Sequence, residues 1–71
     1  MADLLTKEEK EAIINQHIKG VQYGLYNAQL DLIEAQSVTT SDQATLDGIN
    51  ERIAQSNAKI SALQEELSSI S

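Results

Sequence analysis

The chain predicts an all-α protein: an antiparallel hairpin of two long helices, completed by oligomerisation into a helical bundle. Three observations carry that reading. Apolar residues recur at alternating spacings of three and four over two long stretches, one short hydroxyl-rich segment separates the stretches, and 71 residues contain no proline and only three glycines. The first is the period of a helix that shows one apolar seam to a neighbour, and the second is the composition of a connection. The third leaves a β-sheet few of its usual turn residues.

Thr6-Lys7-Glu8-Glu9 has the form of a capping box, so a first helix is expected from Lys7 to Gln36, residues 7–36. Within it Ile14, Ile18, Val21, Leu25, Ala28, Leu32 and Ala35 keep the alternation of four and three without a slip. Residues 37–41, Ser-Val-Thr-Thr-Ser, then place β-branched and hydroxyl side chains where a helix loses rotamer freedom or backbone hydrogen bonds, and are read as the loop. A second helix over residues 42–69 is expected to start from a box made by Thr40 with Gln43 or by Thr39 with Asp42. Its seam runs through Leu46, Ile49, Ile53, Ser56, Ile60, Leu63, Leu67 and Ile70. Asp47-Gly48 is a turn dipeptide elsewhere, but the seam passes it in phase, which puts it inside the helix.

Two such helices joined by about five residues fold back on each other, with arms of about 40 to 45 Å at 1.5 Å per residue. Folding about Thr39 brings Leu32 opposite Leu46, Ala28 opposite Ile49, Leu25 opposite Ile53, Val21 opposite Ser56, Ile18 opposite Ile60 and Ile14 opposite Leu63. The whole chain, residues 1–71, is thereby one hairpin domain.

Tyr23, Tyr26, Leu30 and Ile33 fall on the other side of the first helix, spaced three, four and three apart. A second apolar stripe ending in two phenolic tips is the composition of an interface, so these four residues are expected to meet another protein chain. A chain of this length rarely builds a sufficient core alone, which favours self-association, as a dimer, or docking on a larger assembly. Gly20 and Gly24, four apart and in line with Ala28, are read as close-packing positions that let the second helix approach at a narrow waist. Ala54, Ser56, Asn57, Ala58 and Ala62 supply little bulk there. The alternative for the glycines is a tolerated helix defect costing about 1 kcal/mol each against alanine.

Composition excludes most chemistry. The formal charge is −6 and the five basic residues are spread singly, so no basic stripe exists to follow a phosphate backbone and no nucleic-acid partner is expected. Without cysteine there is no disulfide or thiolate metal site, and a lone His17 cannot build a histidine site. His17 could serve as a pH-sensitive contact, although such a residue is more often an ordinary, half-exposed helix histidine. No nucleophile or acid stands in a recognisable relation to it, so neither enzyme activity, a cofactor nor a small-molecule substrate is expected. Asp31, Glu34, Asp42, Asp47 and Glu51 gather near the loop, opposed by Arg52, and residues 42–48 lack the alternating acids of a calcium loop. They read as a solvated acidic tip, with a docking site for a basic partner as the alternative. The seam alignment also places Lys7 and Lys10 near Glu65 and Glu66, and Arg52 near Tyr26. No apolar run reaches the roughly 20 residues of a membrane span, so no membrane partner is expected, and the N-terminus lacks the pattern of a signal peptide.

The run LTKEEKEAIINQHIKGVQYGLYNAQLDLIEAQ, residues 5–36, resembles the first helix of small uncharacterised two-helix proteins of tailed marine bacteriophages. The shared elements are the Leu-Thr-x-Glu cap, Ile-Ile-Asn-Gln-His at residues 13–17 and Tyr-x-x-Tyr-Asn at residues 23–27. That resemblance implies a phage protein and supplies no functional residues. With no span or signal peptide in the pattern, a cytoplasmic location in the host cell is expected, or the virion if the protein is phage-derived. The function expected is a non-enzymatic structural, assembly or interaction role exercised through helix–helix contacts. The alternative is a small acidic regulator or inhibitor that binds a host protein.

Overall fold

The computed structural model describes residues 4–38 and 42–70, which form two α-helices, α1 (Lys7–Gln36) and α2 (Gln43–Ile70). The helices pack along each other as a hairpin measuring 56 × 17 × 14 Å. The radius of gyration is 16.6 Å, against about 11 Å for a compact globule of this chain length. The molecule is therefore a rod two helices thick, and most side chains have at least one side open to solvent.

α1 starts on a complete capping box: the Thr6 N–H donates to Glu9 Oε1 at 2.9 Å, and the Glu9 N–H donates to Thr6 Oγ1 at 3.1 Å. Those bonds satisfy two groups that a helix N-terminus otherwise leaves unpaired. They also favour the ionised Glu9 carboxylate, whose pKa is lowered chiefly by the Thr6 backbone bond. At the other end Ser37 closes the helix. Its N–H donates to the Ile33 and Glu34 carbonyls, and its hydroxyl donates to the Glu34 carbonyl at 2.6 Å.

α2 begins one residue later than the pattern suggests, because Asp42 is its cap and not its first helical residue. The Thr45 N–H donates to Asp42 Oδ1 at 2.8 Å, and the Leu46 N–H donates to the Asp42 carbonyl. The Thr45 side chain, then its backbone N–H, holds the Asp42 carboxyl below its ordinary range. Thr39 and Thr40, the expected capping threonines, lie outside the described residues. Gly48 is helical, with no positive φ, and the Gln43 side-chain amide donates to Asp47 Oδ1 one turn along at 2.8 Å.

Burial follows the two seams. Ile18, Ala28 and Ile49 are buried, while Ile14, Val21, Leu25, Leu32, Ala35, Leu46, Ile53, Ser56, Ile60, Leu63, Leu67 and Ile70 are half-buried. Off the seams only Lys10, Glu11 and Asp31 are partly covered among the described residues. The core is thus a single ribbon. Ala28, 1% exposed, is the most enclosed side chain in it.

Candidate functional site

With the seam of α1 turned toward α2, the 3.6-residue period sends positions half a turn away to the opposite side. There Tyr23 is 66%, Tyr26 62%, Ile33 61% and Leu30 38% exposed. Taking about 200 Å² for a whole large side chain, these four leave on the order of 400 Å² of mainly apolar surface open. An apolar patch of that size on a small monomer commonly marks an interaction site. The Lys19 ammonium stands 5.8 Å from the centre of the Tyr23 ring, and Lys19, Gln22, Tyr23 and Tyr26 line a shallow groove. One cation therefore already borders the stripe.

The expected pairing of Arg52 with Tyr26 does not form. Arg52 Nη1 instead donates to Asp31 Oδ2 at 3.0 Å, an exposed pair that ties the two helices together near the loop. A carboxylate offers the guanidinium a charged acceptor, which outcompetes the face of an aromatic ring. Lys10 and Glu66 do line one groove at the open end of the hairpin, together with Leu5, Ile13, Ile14 and Ile70.

Within the hairpin, α2 does not close on Gly20 and Gly24 as the spacing suggests. A methyl group built on either glycine would meet nothing within 4 Å, and both positions are exposed. The small residues produce no narrow waist. They leave an open groove lined by Gln16, His17, Gly20, Val21, Gly24, Ser56 and Lys59. The physical reason lies in the neighbouring layers: the half-buried Leu25 and Ile53 on one side and Ile18 and Ile60 on the other set the separation of two stiff helices. A local deficit of side chain then appears as a gap. Ser56 tolerates its place in the seam because it opens into this groove, and no buried polar side-chain atom lacks a partner among the described residues.

Sequence reasoning passed over Leu5 and Ile13, which are 44% and 41% exposed and extend the apolar surface around the open end. The signal was present in Ile13-Ile14, a doubled apolar position that makes one turn of the seam wider than a single stripe.

Among the described residues no group of three or more His, Cys, Asp or Glu side chains converges to hold a metal ion. Nor is any helix among them long and apolar enough to cross a membrane. The class defined by the geometry is a two-helix hairpin with one helix apolar on two sides. No protein family, curated protein or solved structure matches the chain.

Proposed function

We propose that this hairpin is a non-enzymatic interaction protein of structural or assembly type, working through helix–helix contact on the outer face of α1. The observation that carries the reading is the stripe of Tyr23, Tyr26, Leu30 and Ile33, left open on a molecule with three buried residues among those described. A core that thin gives little stability by itself, and covering a second apolar face is one remedy for a small chain without disulfides. The reading rests on the stripe alone. Regulation of a host protein is the second reading, favoured by the same two tyrosines, since tyrosine is enriched among residues that dominate binding energy.

The test is the double substitution Tyr23→Ala, Tyr26→Ala, made on an exposed face where it leaves the α1–α2 seam intact. The variant is expected to keep the helical circular dichroism of the parent at high concentration while losing mass in light scattering and melting at lower temperature. If the parent associates and the variant matches it in mass and in melting, the stripe is not the contact face.

A further inference from the structure

The outer face of α1 has a symmetry that identifies its occupant. Positions 23, 26, 30 and 33 are spaced three, four and three, so the set reads the same in both directions about its midpoint at residue 28. We infer that the stripe is covered by the same stripe of a second copy of this chain, with the two α1 helices antiparallel about a twofold axis at the level of Ala28. This rests on the contact role proposed for the stripe and adds the partner and its register. In that register Tyr23 meets Ile33 of the second copy and Tyr26 meets its Leu30, giving four consecutive apolar layers with no polar residue between them.

The flanks agree with a self-contact. On one side the stripe is bordered by Gln22, Gln29 and Gln36, and on the other by Gly20, Asn27 and Glu34. Residues 12–30 and 53–64 contain no acid at all, although the chain carries eleven. The acids sit toward the two ends of the hairpin, and Lys19 and Lys59 lie between them, Lys59 in the groove shared with Gln16 and Gly20. Antiparallel pairing sets Ser37 at the level of Lys19 of the other copy, so Glu34 comes within one turn of that lysine. A parallel pair would instead stack each acidic loop end on its twin, where like charges oppose binding.

The area is in proportion. About 400 Å² of stripe on each copy gives roughly 800 Å² of buried surface before the amide flanks are added, approaching the 1,000 Å² or so expected of a biological interface. An isologous contact of this kind closes on itself and stops at two chains, with the four helices side by side in the order α2–α1–α1–α2.

Two single-cysteine variants of this cysteine-free chain, Gln29→Cys and Asn15→Cys, carry nitroxide labels on the same flank of α1 two heptads apart. Both positions are exposed. Light scattering of each is expected to give twice the 7.8 kDa chain mass. Spin–spin distances are expected to be short for label 29 and longer for label 15, whose two copies stand about 39 Å apart along the axis at 1.5 Å per residue. Equal distances for the two labels would overturn the antiparallel register while leaving a self-contact. A helical monomer would overturn the second copy as occupant and would leave the stripe to a foreign protein. With Leu30→Glu added, the dimer mass is expected to fall to that of one chain. An unchanged dimer there would overturn the stripe itself.

Discussion

α1 and α2 are nearly equal in length, yet they are not equivalent. α2 has a single apolar seam, and its other faces carry Asp47, Glu51, Glu65, Glu66 and small residues such as Ala54, Ala58 and Ala62, all exposed. α1 has the matching seam and a second stripe behind it, so it is apolar on two sides. A helix that only had to cover its sister would need no second stripe, and α2 shows what such a helix looks like. The asymmetry is the ground for the second contact proposed for α1.

The largest expected effect breaks the shared seam. Ile49→Ala removes one of three buried side chains and is expected to cost about 2 to 3 kcal/mol, toward the low end for buried isoleucine because the thin site can partly collapse. Loss of the cooperative thermal transition in circular dichroism is the readout. A variant melting like the parent would mean that the seam is not the core. Next comes the cap of the two-sided helix: Thr6→Ala is expected to cost about 1 kcal/mol through its bond to the Glu9 N–H, measured by denaturant unfolding.

The glycines sharpen the comparison between the helices. Each position is open, so Gly48→Ala on α2 is expected to stabilise by about 0.5 to 1 kcal/mol in thermal melts through reduced freedom of the unfolded chain. Gly20→Ala borders the stripe. An equal gain there would mean that the second copy leaves the glycine free, whereas a loss confined to the associated state would mean that it packs against Gly20.

These glycines also mark where the sequence stops being informative. The seam residues from Ile14 to Ile70 were legible because a 3.6-residue period commits each of them to one face, and a slip of one residue would turn an isoleucine to solvent. Gly20 and Gly24 were not, because interhelical distance is set by the largest residues nearby and not by the smallest. The α2 cap was ambiguous for another reason: Thr39, Thr40, Ser41 and Asp42 are all competent cap residues, and only the path of the chain selects Asp42. Arg52 had two partners in reach, and the pattern carries no information about which direction a long side chain takes. The outer stripe was visible as a pattern, but its occupant is a property of two molecules.

A smaller effect reads the start of α2 by pH. The Asp42 pKa is lowered in the folded chain, so its contribution is fully present above the unfolded pKa and is lost as pH falls through the folded one. The stability gap between the parent and Asp42→Ala is therefore expected to be widest at neutral pH and to close on acidification below the ordinary carboxylate range. A gap constant with pH would show that the bond to the Thr45 N–H does not depend on the carboxylate charge.

The central claim is that the hairpin is completed by covering the outer face of α1 with another copy. Its most direct test is a thermal melt followed by circular dichroism over a hundredfold range of protein concentration, with light scattering on the same samples. A melting temperature that rises with concentration, alongside a mass of two chains that falls to one on dilution, is the predicted result. A melting temperature independent of concentration, in a helical species with the mass of one chain throughout, would contradict it.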